Sequence, residues 1–304
     1  MYILGNGLGF FPNIKIGGVM WKNEFLRNFC SIKTLIVLVL LISIGIMNIK
    51  YEYNSYQNFE HLYNTYVGVE NTDINANGAL KMMEYYNGME VGIRFLLESE
   101  FIEMYAIILF LFVRNIRESG QINYFVARTD YKKYLKSMLL AHSLYILSIV
   151  VISIFIILSL GVIITGKLIG PADLGIYDIN FLGFLGIVLL QIFLISFFAI
   201  LINGISEVLN VWIKNKIIVQ TIPFAFFTLV PMTVSSTLGN IFIAFGNVIT
   251  LFVPFVGLKG LMNLVQSNST YMDVITMSLP FVCYTVLFIV LYKINIKKYM
   301  ENCL

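Results

Sequence analysis

Charge is scarce in this sequence. Asp, Glu, Lys and Arg make up 12% of its 304 residues, against roughly 25% in a soluble domain. Hydrophobic residues make up 59%, and mean hydropathy is +0.84. A soluble core does not require so little charge, and several apolar runs exceed the roughly 18 residues of a helical span. Cysteine is also scarce. Cys30, Cys283 and Cys303 are too few and too scattered for a disulfide framework or a zinc site. Cys303 is the second-last residue, outside a prenylation box. Two isolated histidines, His61 and His142, make no metal site, and no HExxH or GxSxG pattern occurs. The first 18 residues lack a basic start and are interrupted by glycine, asparagine and proline, so the first span is expected to serve as an uncleaved signal. A net charge of +3 points to no nucleic-acid partner.

What is present is apolar length. The expected fold is an all-α polytopic membrane protein, a single transmembrane domain over 1–304. Spans are expected at 33–49, 95–113, 138–165, 181–204, 217–237 and 273–292. Positive charge tests this arrangement. With the N-terminus inside, cytoplasmic segments hold 15 of the 20 Lys and Arg residues, which sets both termini in the cytoplasm. Residues 241–257 are also apolar, but a seventh span would put the basic tail outside. The segment 238–271 is therefore expected to be re-entrant or an outer helical pair.

Two further segments stand out. In 19–33, Met20, Trp21, Phe25, Phe29 and Ile32 recur near helical spacing among Lys22, Arg27 and Lys33, which predicts an amphipathic helix in the inner membrane interface. Residues 50–94, rich in tyrosine and asparagine, are expected to form an extracellular cap of short helices and turns. No internal repeat is visible, which argues against an inverted-repeat carrier.

Polar residues inside spans are costly. Glu103 lies about 16 Å along the helix from Arg114, with Glu100 and Glu98 nearer the outer face. Glu98, Glu100 and Glu103 are candidates for a substrate pathway or a dimer contact, or else sit in the outer headgroups. Gln191, Asn203 and Gln220 read as inter-helix hydrogen bonders, and Pro223, Pro231 and Pro280 as kinks. Gly161, Gly166 and Lys167 have the spacing of a phosphate-binding loop. Leu168 stands where that loop needs Ser or Thr, so the segment reads as a span terminus. No nucleotide site follows, and no bound cofactor is expected.

The cytoplasmic loop 114–137 carries six basic residues: Arg114, Arg117, Arg128, Lys132, Lys133 and Lys136. Glu118, Ser119 and Gly120 lead into a short apolar stretch through Val126. Arg128, Thr129, Asp130, Tyr131 and Lys132 then form a basic turn before Lys136 opens the next span. This order resembles the membrane subunits of type-2 ABC exporters, which include bacterial drug, peptide-antibiotic and immunity permeases. Thr129 and Asp130 depart from the proline or serine that family often has at the turn. The resemblance implies six spans, a partner ATP-binding subunit, a second permease subunit and a bacterial plasma membrane. ATP would act through the partner. Glu118, Gly120, Arg128, Asp130, Lys132 and Lys133 would contact that ATPase. The competing reading is a non-transport sensor, immunity factor or scaffold that binds a ligand through its outer loop.

Overall fold

The computed structural model describes residues 20–67, 86–97, 100–112, 131–169, 180–209 and 271–302, with isolated positions in 78–83 and 213–258. These residues form seven helices and, among them, no strand. They are α1 (Met20–Phe29), α2 (Ile32–Tyr66), α3 (Gly88–Leu97), α4 (Glu100–Phe112), α5 (Tyr131–Thr165), α6 (Phe181–Leu209) and α7 (Tyr271–Asn302). Four of them, α2, α5, α6 and α7, are long and apolar enough to cross a membrane. The chain is a multi-pass helical membrane protein. The expected fifth span and the segment 238–271 lie outside the described residues, apart from scattered positions.

The expected second span is corrected. It is two helices of 10 and 13 residues, meeting near 98–100, and not one continuous span over 95–113. At 1.5 Å per residue, neither crosses a hydrocarbon core of about 30 Å alone. α3 ends at Leu97 and α4 begins at Glu100, and the sequence Glu98-Ser99-Glu100 is the most polar triplet in the stretch. Glu100 and Glu103 occupy the first turn of α4, where the helix dipole favours carboxylates.

The first span also runs further than expected. α2 is one helix of 35 residues, about 52 Å long, so it outreaches the bilayer core. Residues 50–66 contain neither glycine nor proline, and nothing interrupts the backbone ladder. The expected cap of short helices over 50–94 therefore begins as a continuation of α2. Pro280 lies within α7, which continues past it.

Burial organises the bundle around α5, which packs against α1, α2, α3 and α6. The core joins Leu41 of α2, Phe95 and Leu96 of α3, and Tyr105 of α4 to Ile149 of α5 and Phe198 of α6. Gly45 of α2 lets Ile157 of α5 approach so closely that a side chain there would collide with it. Close approach at small residues is how helices associate without help from water.

The ends of the bundle differ in charge. At the basic end lie α1 and the first turns of α2 and α5, with the last turns of α6 and α7. At the acidic end lie the extension of α2, the start of α3 and the C-terminus of α5. The look-alike phosphate loop is the C-cap of α5: Gly166 adopts φ 67° and its N–H donates to Val162 at 3.0 Å. Its neighbours cap another helix, because Gly88 N–H donates to the Lys167 carbonyl (2.8 Å) and Met89 N–H to that of Leu168 (3.0 Å). Two of the otherwise unpaired first N–H groups of α3 are thereby satisfied.

Candidate functional site

The acidic end holds a cavity of about 530 Å³ between α2, α3 and α4. Residues 48, 52, 55 and 59 recur at helical spacing, so α2 presents Asn48, Glu52, Ser55 and Phe59 as one stripe toward it. Arg94 closes it from α3, and Glu100, Phe101 and Met104 from the start of α4. Tyr51 of α2 meets Phe101 with ring centroids 6.3 Å apart.

Local chemistry fixes these elements. Asn87 caps α3, its Oδ1 accepting from Glu90 N–H at 3.0 Å. Glu90 stands one turn before Arg94 and meets its Nε at 3.5 Å. Arg94 Nη1 donates to Glu52 Oε2 at 3.0 Å, tying α3 to the part of α2 beyond the apolar run. Glu90 and Glu52 are buried, so the guanidinium offsets two carboxylates in a poorly solvated place. Next to this pair Tyr53, Tyr56 and Tyr86 cluster, with Tyr56 and Tyr86 centroids 4.7 Å apart. Burial raises the Tyr86 phenol above its ordinary range, and the nearby Tyr53 and Glu52 add to this.

Asn48 is the unusual member. It is 1% exposed, it lines the cavity, and neither its Oδ1 nor its Nδ2 has a hydrogen-bond partner among the described residues. Glu100 is exposed to the cavity and forms no ion pair with any described residue. Glu103 is half-buried beside it, and Glu98 lies outside the described residues. Of the two described acids, Glu100 and Glu103, Glu100 lines the cavity.

Leu96 lies in the last turn of α3, where a helix leaves its carbonyls without an intrahelical donor. Gln191 Nε2 of α6 donates to the Leu96 carbonyl at 2.9 Å, and to the carbonyl of Leu258 at 3.4 Å. Gln191 thus bonds between helices as its position predicted. Asn203 instead bonds back to the Ala199 carbonyl of its own helix, and Gln220 lies outside the described residues.

The basic end carries a second polar cluster. α1 buries Glu24 and Asn28 most deeply, with Phe25 and Phe29 half-buried against the core, while Leu26 stays 48% exposed. Glu24 pairs with Arg27 at 2.8 Å. His142 Nδ1 of α5 lies 3.1 Å from Glu207 Oε1 of α6, both buried. Burial lowers the Arg27 guanidinium, opposed by Tyr134 and Glu207. The hinge into α2 is bonded too: Ser31 caps α2, and Thr34 meets both the Asn28 carbonyl and the Tyr145 hydroxyl. Tyr131 donates to Asn295 at 2.7 Å, and Asn295 donates to the Val208 carbonyl. Lys132 and Lys133 are exposed in the first turn of α5. Glu118, Gly120, Arg128 and Asp130 lie outside the described residues.

The sequence reading passed over Asn48, Glu52 and Glu207, and counted Arg94 only as a charge. The four-three-four spacing of 48, 52, 55 and 59 is a signal for the α2 stripe once the helix is continued past Lys50. The chain matches no family model, no curated protein and no solved structure.

Proposed function

We propose that the chain is the membrane-spanning subunit of an ATP-driven exporter, of the type-2 ABC kind that its loop resembles. In this reading it moves a peptide, drug or lipid-like substrate outward. It has no nucleotide site, and a separate ATP-binding subunit powers it. The observation that carries the reading is the pair of exposed lysines, Lys132 and Lys133, in the first turn of α5. A helix N-terminus disfavours cations by about 0.3–1 kcal/mol each. Two lysines without an acidic residue in that turn are poorly placed for the helix and well placed for an anionic partner. α1 and the last turns of α7 pack beside that turn, with Met20, Tyr292 and Ile296 around Tyr131, Tyr134 and Leu135. A push there reaches three helices.

Further parts of the reading rest on sequence. They are the six spans, a coupling segment over 118–135 contacting the ATPase, a re-entrant segment near 238–271, and both termini in the cytoplasm of a bacterial plasma membrane. A second permease subunit or lipid would cover the apolar face of α7, where Val282, Val286 and Ile289 are exposed.

The test is co-expression with any ATP-binding subunit that a neighbouring gene encodes. The double charge reversal K132E/K133E is expected to abolish its co-purification and its substrate-stimulated ATPase activity. A wild-type chain that purifies alone and transports unaided defeats the proposal. The cavity at the acidic end favours a second reading, a sensor, immunity factor or scaffold. Ligand binding with no ATPase partner in any preparation would select it.

A further inference from the structure

We propose that the cavity between α2, α3 and α4 binds an organic cation with an apolar body, its ammonium or guanidinium group meeting Glu100 and donating to Asn48 Oδ1. Three independent observations point there. The volume of about 530 Å³ falls in the range of small-molecule sites. The charges at the wall do not balance: Arg94 is engaged by Glu52 and Glu90, leaving Glu100 with no ion pair to a described residue. Asn48 is buried with both ends of its amide unpartnered among the described residues, and a ligand donor would relieve the cost at its Oδ1.

The walls define the rest of the ligand. Tyr51, Phe59 and Phe101 bring aromatic surface, and Met104 a flexible apolar one. Aromatic faces attract a cation within about 6 Å, more strongly when water is excluded. An anion would meet Glu100 and the net negative wall. A neutral amphiphile would leave Glu100 uncompensated. The site therefore discriminates by charge first and by apolar length second. It stands whether or not an ATPase powers the chain.

Two sources offer this chemistry, an amine-headgroup lipid entering from the bilayer and a water-borne cationic amphiphile. The test is calorimetric titration of the full chain in dodecyl maltoside with octylamine, octanol and octanoate. Octylamine is expected to bind, with octanol and octanoate at least tenfold weaker. Glu100→Gln and Asn48→Leu are each expected to weaken octylamine at least tenfold. Glu60→Gln, on the exposed side of α2, is expected to leave it unchanged. Added phosphatidylethanolamine that competes with octylamine, where phosphatidylglycerol does not, assigns the site to the lipid. Absence of competition assigns it to the water-borne cation. Equal binding of octylamine and octanol overturns the proposal. So does unchanged octylamine affinity in folded Glu100→Gln and Asn48→Leu proteins, folding being checked by thermal midpoint.

Discussion

Gln191 of α6 holds the carbonyl of Leu96 at 2.9 Å, although 95 positions separate them in the chain. The bond lies in the last turn of α3, where a helix leaves its carbonyls without an intrahelical donor. Away from water such carbonyls are satisfied by protein groups. Gln191→Leu removes the donor and strands a buried carbonyl, a loss of about 1–3 kcal/mol. The expected result is a lowered thermal midpoint in detergent, with Gln191→Asn intermediate. A Gln191→Leu protein as stable as wild type would mean that the break is supported elsewhere.

Arg94 joins α3 to α2 through Glu52. Arg94→Gln leaves two buried carboxylates facing one another, and breaking such a pair costs about 3–5 kcal/mol. Glu52→Gln on the same background should recover part of the loss. A double-mutant cycle measures this, and additive effects would show that the two residues act independently.

The His142–Glu207 pair is buried where α5, α6 and α1 converge, with Arg27 close enough to feel Glu207. Glu207→Gln removes the charge that Arg27 and His142 share. Faster hydrogen exchange is expected across residues 20–29, by about tenfold, while α5 beyond Ile149 stays protected. Uniform acceleration over the whole bundle would instead indicate global destabilisation.

Tyr86 supplies a pH dependence outside the membrane spans. Its phenol is raised above 10, first by burial and then by Tyr53 and Glu52. Below pH 10 folded and unfolded chains both keep the proton, so Tyr86 adds no pH dependence there. As pH rises past that value the unfolded chain ionises first, and stability falls until the folded phenol ionises as well. The Tyr86→Phe protein should show a shallower alkaline loss of stability above pH 10. An identical pH profile would place the alkaline sensitivity in other tyrosines.

Helical class was legible because the apolar runs are long. The start of α6 at Phe181 and the end of α5 at Thr165 match the expected spans, whereas α5 begins at Tyr131, seven residues ahead of the expected 138, among Lys132, Lys133 and Lys136. The end of α2 was not legible, because polarity and helicity separate at Lys50: the sequence turns polar while the helix continues. The break at 98–100 was visible as a polar triplet, but its acids read as intruders in one span and not as the first turn of a new helix. The burial of Glu24 and Asn28 was hidden for a related reason. An amphipathic helix states which residues differ, and the surroundings decide which face turns inward. The face that turns inward here holds Glu24 and Asn28 together with Phe25 and Phe29. The Arg94 pairing with Glu52 needs a fold to bring 42 positions together, and no local pattern announces it.

The length of α2 has a mechanical consequence. The helix is fastened near one end by Thr34 to Tyr145, and further along by Glu52 to Arg94. It runs unbroken from Thr34 to Tyr66, about 48 Å. A rigid rod of that length pivoting by about 5° at Thr34, with α3 carried along through Glu52 and Arg94, moves its far tip about 4 Å. Small motions at the basic end are thus geared up into displacements the size of a side chain at the opposite face, where the tyrosines of the extension stand.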